Sequence, residues 1–171
     1  KEWNMAKTRI MIVEDEWTVA EEIRMVLESM EYEVTSMSAA GEEAVQNAEK
    51  DKPDLALMDI VLEGEMDGIA AANEIRSRFN IPIIFLTAYT DDKILERARI
   101  TGPFGYIVKP FVNEDLKISI EIAIYKSRME KERKRFIEEL QGALPKITSL
   151  SGLLPVCPSC KRVRDSDGNW K

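Results

Sequence analysis

The chain has 171 residues, 44% of them hydrophobic and 32% charged, with a formal net charge of −7 and no histidine. That suits one soluble globular domain with an appendage, large enough to bury its own core, and it removes the commonest general base and metal ligand from every functional reading. No uncharged apolar run approaches the ~20 residues of a bilayer span, no secretory leader is visible before the first apolar run, and two cysteines in one unit make no secreted disulfide framework, so the cytoplasm is the expected compartment.

In chain order, Ile10-Met11-Ile12-Val13 is a short apolar run that ends on Glu14-Asp15. Val19, Ile23, Val26, Leu27 and Met30 then recur at helical spacing, which predicts an amphipathic helix over 17–30. Glu33 to Met37 reads as a second, more peripheral strand, and Ala44, Val45 and Ala48 mark a helix that ends before Pro53. Leu55-Ala56-Leu57-Met58 ends on Asp59, and after a loop through Gly64 and Gly68 a third helix carries Ile69, Ala72, Ile75 and Phe79 on one face. The run 81–86 ends on Thr87, Ile94, Leu95 and Ala98 mark helix four, and Thr101-Gly102-Pro103 breaks it before Tyr106-Ile107-Val108, which ends on Lys109-Pro110.

Strands alternating with helices indicate a parallel sheet of βαβ units. In such a sheet, ligands bind outside the carboxyl ends of the strands. The islands Glu14-Asp15, Asp59, Thr87 and Lys109-Pro110 therefore converge on one place, although they span 96 positions. Three carboxylates crowded together repel one another unless a cation is present. Mg²⁺, which takes oxygen ligands and keeps several waters, fits one or two carboxylates plus a phosphate. A carboxylate can attack phosphorus to form an acyl phosphate. Catalysis is then mainly positioning and charge neutralisation, with Lys109 on one phosphoryl oxygen, the Thr87 hydroxyl on another and Mg²⁺ on a third.

The last helical stretch, from Asn113 to about Gln141, contains no Pro or Gly. Leu116, Ile120 and Ala123 are expected to serve the domain core. Beyond them Met129, Phe136, Leu140 and Ala143 keep a spacing near 3.5 residues among Lys, Arg and Glu, a narrow seam suited to a second helix and interrupted by Lys126 and Arg133. Gly142 and Pro145 are expected to end or kink the helix. Charge divides along the same line: residues 1–125 hold 13 basic and 25 acidic residues, residues 126–171 hold 11 and 6. The acidic part is a poor nucleic-acid binder.

Val13-Glu14-Asp15-Glu16, Leu57-Met58-Asp59, Leu86-Thr87-Ala88 and Gly105-Tyr106-Ile107-Val108-Lys109-Pro110 together resemble the receiver domain of two-component response regulators, over residues 7 to about 125. The resemblance implies a flavodoxin-like (βα)₅ three-layer sandwich with sheet order 2-1-3-4-5, here carrying an extended C-terminal helix. It implies Asp59 as phosphoacceptor from a sensor histidine kinase or phosphotransfer protein. Glu14, Asp15, Asp59 and the Val61 carbonyl would hold Mg²⁺ or Mn²⁺, Lys109 would bind the phosphate, and Thr87 and Tyr106 would form a switch pair. Such a protein is a signalling phosphoacceptor that at most phosphorylates itself and slowly loses the group. The stretch 59–68 lacks the proline usual after the phosphoacceptor and looks slightly longer than the common form.

Four segments are expected: an N-terminal extension at 1–6, the receiver at 7–125, a helical or coiled-coil extension at 126–144, and a partial tail at 145–171. That tail, through Cys157 and Cys160, resembles an element that closes many PAS and receiver sensor proteins. One CxxC is half a structural zinc site, so free thiols rather than Zn²⁺ are expected. The expected assembly is a homodimer through the seam, without membrane or nucleic acid. The rival readings are a DNA-binding transcriptional regulator using the basic stretch Lys126 to Arg135, and an aspartyl phosphohydrolase. The second is disfavoured because haloacid-dehalogenase-like phosphatases carry an Asp two residues after the nucleophile, where this chain has Val61.

Overall fold

Successive residues of a strand face opposite sides of a sheet, and the apolar runs of this chain use both. In the computed structural model, which describes residues 7–88, 92–151 and 160, with side chains at 7–88, 96–142 and 160, Met11, Val13, Ala56, Met58, Ile83 and Phe85 face one way. Ile10, Ile12, Leu55, Leu57, Ile84, Leu86 and Ile107 face the other. A strand buried on both faces has to be apolar at every position, which explains runs rather than alternation.

The elements are β1 (Arg9–Val13), α1 (Trp17–Ser29), β2 (Glu33–Ser38), α2 (Gly41–Asp51), β3 (Leu55–Asp59), α3 (Gly68–Phe79), β4 (Ile83–Ala88), α4 (Asp92–Ile100), β5 (Gly105–Lys109) and α5 (Asn113–Ser151). All strand pairs are parallel and the order is β2-β1-β3-β4-β5. Ala44, Val45 and Ala48 of α2, Ile69, Ala72 and Ile75 of α3 and Ala98 of α4 pack on one face. Ala20, Ile23 and Leu27 of α1 and Leu116, Ile120 and Ala123 of α5 pack on the other. This is the expected flavodoxin-like three-layer sandwich. Two helices stop where their chemistry says they should: α3 ends at Asn80 in the left-handed region (φ 54°) and α4 is followed by Gly102 at φ 61°.

Two features of α5 differ from expectation. Of the two outcomes expected at Gly142 and Pro145, an end or a kink, the end does not occur: the helix continues to Ser151. Gly and Pro cost about 1 and 3 kcal/mol in a helix interior, which the hydrogen bonds of the turns on either side offset. The second difference concerns the face opposite Leu116, Ile120 and Ala123. Ile118, Ile122 and Tyr125 are 50%, 47% and 66% exposed, so the receiver part of α5 carries an apolar stripe that its own core does not use.

The chain separates into two compact units, Lys1–Arg128 and Met129–Lys171. In the second, Met129, Phe136, Ile137 and Leu140 are all exposed, and Arg135 pairs with Glu139 at 3.5 Å on the surface. The Ala143 side chain lies outside the described residues. No helix of the described residues is long and apolar enough to cross a membrane.

Candidate functional site

Strand register brings the separated islands together. Val13 pairs with Met58, so Glu14 and Asp59 leave their strands side by side; Asp59 pairs with Leu86 and Ala88 with Lys109. One carboxylate oxygen from each of Glu14, Asp15 and Asp59 lies within 4.8 Å of the others. Glu14 and Asp59 are buried, at 3% and 8% exposure, while Asp15 is more open.

Lys109 neutralises part of this charge. Its Nζ donates to Glu14 Oε2 and to Asp59 Oδ2, both at 2.5 Å, joining residues 95 and 50 positions apart in sequence. Burial pushes Glu14 above its ordinary carboxylate range, the Asp59 charge adds to that, and the Lys109 ammonium works against it. Burial alone would lower Lys109, but its hydrogen bonds to Asp59 and Glu14 win, and the ammonium is held above its usual range. The second Asp59 oxygen, Oδ1, accepts from the Val61 N–H at 2.8 Å. Both oxygens of this carboxylate are therefore oriented. The Lys109–Pro110 peptide is cis.

Thr87 is buried at the end of β4, and its Oγ1 donates to the Ala88 carbonyl at 3.1 Å. Tyr106, on the neighbouring strand, is 36% exposed, its ring centroid 5.9 Å from that of Phe85. The two expected switch residues thus sit on adjacent strands, one inside and one at the surface.

The longer loop after Asp59 is anchored at several points. Leu62 is buried and Met66 packs on the core. The Glu63 N–H donates to Asp15 Oδ2 at 3.3 Å, and Gly64 absorbs a φ of 134° that other residues avoid. Val61 itself is 58% exposed at the loop's outer side. Asp67 caps α3, with Oδ1 accepting from the Ala70 N–H at 2.8 Å. Burial would raise its carboxyl, but the Ala70 N–H and the Arg97 guanidinium outweigh burial and hold it below the ordinary value. Gly68 follows, and an added Cβ there would lie 1.7 Å from the Asp59 carbonyl oxygen. Neither Asp67 nor Gly68 stood out as a site residue in the sequence. An Asp just before a helical pattern is a cap signal, but nothing local announces the close approach of Gly68 to β3.

The donor set tests which ion would fit. Glu14, Asp15 and Asp59 offer oxygen only, and hard oxygen sets suit Mg²⁺ and Mn²⁺ rather than zinc. The shortage of positive charge, three carboxylates against one ammonium, points the same way. Of the two tail cysteines, for which free thiols rather than Zn²⁺ are expected, Cys160 is exposed and Cys157 lies outside the described residues.

Comparison with known proteins agrees with this geometry. Residues 10–121 match the family model of the response regulator receiver domain. The transcriptional regulatory protein PdtaR of Mycobacterium tuberculosis is 41% identical over 120 residues, covering 70% of this chain and 58% of that protein. YdfI of Bacillus subtilis, also named a transcriptional regulatory protein, is 31% identical over 117 residues, covering 68% and 54%. The chain thus spans a little over half the length of these relatives. Among solved structures, the signal receiver domain of a modulated diguanylate cyclase from Desulfovibrio desulfuricans G20 superposes with a TM-score of 0.71 at 41% identity, covering 73% of this chain and 99% of that one. A CheY-like receiver domain protein from Methanospirillum hungatei JF-1 gives 0.67 at 27% identity, with coverage of 73% and 99%.

Proposed function

The chain belongs to the response regulator receiver domain family, and on that premise we propose that Asp59 is the residue that accepts the phosphoryl group. The observation that carries this reading is the Asp59 carboxylate, buried, held at Oδ1 by the Val61 N–H and at Oδ2 by Lys109. A sensor histidine kinase or phosphotransfer protein supplies the group. An Asp59 oxygen attacks phosphorus, a P–O bond forms, and the P–N bond of the phosphohistidine breaks, its electron pair leaving on the imidazole nitrogen, which takes up a proton. Lys109 passes from the carboxylate to a phosphoryl oxygen as charge gathers there, and the Thr87 hydroxyl takes another.

Glu14, Asp15, Asp59 and the Val61 carbonyl would hold Mg²⁺, or Mn²⁺ in its place. When bound, the ion supplies neutralisation of phosphoryl charge. The test is to incubate the chain with Mg²⁺ and a small phosphoryl donor, then trap and map the acyl phosphate. Label on the peptide bearing Asp59 is the expected result, and label confined to another carboxylate would overturn the assignment. Lys109→Ala should slow uptake while tightening divalent-cation binding roughly tenfold, the scale of removing one close opposing charge from a partly buried site. Calorimetric titration with MgCl₂ reads the second effect.

The output proposed is a change in helix-mediated association, with a receiver over 7–125, a helical extension over 126–144 and a tail over 145–171. Thr87 and Tyr106 act as the switch pair: as the Thr87 hydroxyl turns toward the phosphoryl group, it vacates space into which the tyrosine moves, shifting the balance between two states. Exposed Met129, Phe136 and Leu140, at near-heptad spacing, support pairing of the extension with a second copy. Lys131, Arg133, Lys134 and Arg135 make that pairing salt-sensitive and modest in strength. Phe136→Glu with Leu140→Glu should give a folded monomer that still takes up phosphate. Sedimentation identical to the parent would put the contact elsewhere. DNA binding through the basic stretch has only its charge in support, and the relatives' names as transcriptional regulators belong to those longer proteins.

A further inference from the structure

The Asp67 carboxylate serves two partners at once. Oδ1 caps α3, and Oδ2 receives Arg97 Nη2 from α4 at 2.7 Å, across 30 positions of sequence. Among the residues whose side chains are described, no other ion pair joins α4 to another element. One residue further, Gly68 lies so close to β3 that a Cβ would meet the Asp59 carbonyl carbon at 2.9 Å as well as its oxygen, and the Gly68 N–H donates to the Ile60 carbonyl at 3.2 Å. The backbone beside Asp59 is therefore one residue removed from a side chain that α4 grips.

Resting on the reading of Asp59 as phosphoacceptor, we propose that the Asp67–Arg97 pair is a latch. It holds α4 in the resting arrangement and ties that helix to Asp59 through Gly68, by a route separate from Thr87 and Tyr106. Two contacts and one exposed side chain support reading this arrangement as the resting one. Lys109 is on the carboxylate itself, the Thr87 hydroxyl is turned to the Ala88 carbonyl, and Tyr106 is at the surface. Phosphorylation that repositions the β4 end and α4 has to work against the Arg97 grip. Opening the latch beforehand removes that opposition, so by linkage it tightens binding of anything that favours the switched state.

The pair is exposed, with side-chain exposures of 58% and 38%, and such pairs change an equilibrium by about two- to five-fold. The experiment measures the beryllium fluoride concentration that half-saturates the full chain in Mg²⁺, followed by amide resonances of β4 and β5. Arg97→Ala should lower it by about two- to five-fold. Asp67→Asn should do the same, because Asn caps a helix as well as Asp but lacks the charge. The double variant should go no further than either single one, and Arg97→Lys, which keeps the charge, should stay near the parent.

An unchanged or raised half-saturation in Arg97→Ala, a side chain too exposed to endanger folding, overturns the latch, as do additive effects in the double variant. Asp59→Asn is the control that separates the two claims. Loss of beryllium fluoride binding there keeps the phosphoacceptor in place, so that a silent Arg97→Ala counts against the latch alone. Binding undiminished by Asp59→Asn overturns the phosphoacceptor reading and the latch that rests on it.

Discussion

An Asp59→Asn variant is expected to take up no phosphoryl group from a small-molecule donor while remaining folded. Asparagine has nearly the same shape, and its amide oxygen can still accept the Val61 N–H now bound to Oδ1. Lys109 keeps Glu14 as a partner. The stability change should therefore stay within about 1–3 kcal/mol, the scale of one charge-assisted hydrogen bond. What disappears is the proposed nucleophile, because an amide presents no anionic oxygen to phosphorus. Acid-labile label measured alongside the far-ultraviolet circular dichroism spectrum separates the two effects. A folded variant that still carries acyl phosphate would place the acceptor on another carboxylate, Glu14 and Asp15 being the neighbours to examine.

Gly68→Ala should be among the most damaging small substitutions in the chain. The new methyl would sit 1.7 Å from the Asp59 carbonyl oxygen, 2.9 Å from its carbon and 3.1 Å from the Ile60 carbonyl oxygen. All three are backbone atoms, so no rotamer change relieves the clash; α3 or the end of β3 has to move. Overpacking costs typically ~1–3 kcal/mol and occasionally more, and a backbone collision belongs at the upper end. For a chain of this size about 3 kcal/mol lowers the melting temperature by roughly 6–12 °C. Phosphoryl uptake should fall as well, since the displaced backbone carries Asp59. Gly142→Ala provides the contrast. Nothing lies within 4 Å of its added Cβ, and replacing a helical glycine by alanine stabilises by about 1 kcal/mol. Equal melting temperatures for Gly68→Ala and the parent would show that α3 docks more loosely than this geometry requires.

The sequence announced the convergence of Glu14, Asp15, Asp59, Thr87 and Lys109 because each ends a short apolar run, and parallel βαβ winding puts all such ends on one edge. No long-range knowledge was needed. The latch is different. Asp67 is one acid within a loop and Arg97 one basic residue among several on α4; their meeting depends on how a loop anchored by Leu62 and Met66 settles against a helix 30 residues downstream. In α5 the periodicity marked Leu116, Ile120 and Ala123 as core. The exposed stripe of Ile118, Ile122 and Tyr125 is not legible in the same way, because a helix apolar on two faces yields a blurred period. The extent of α5 is not legible locally, because Gly142 and Pro145 are signals to end or kink a helix and do not say which.

The Lys109 bridge also has a bearing on how the protein matures. A contact spanning 95 residues has to close a long loop, and such non-local contacts are the slow ones in folding. A nascent chain that has emerged only through β3 already holds Glu14, Asp15 and Asp59, but not the ammonium that steadies them. The full set of charges around Asp59 is therefore complete only when β5 has joined the sheet edge.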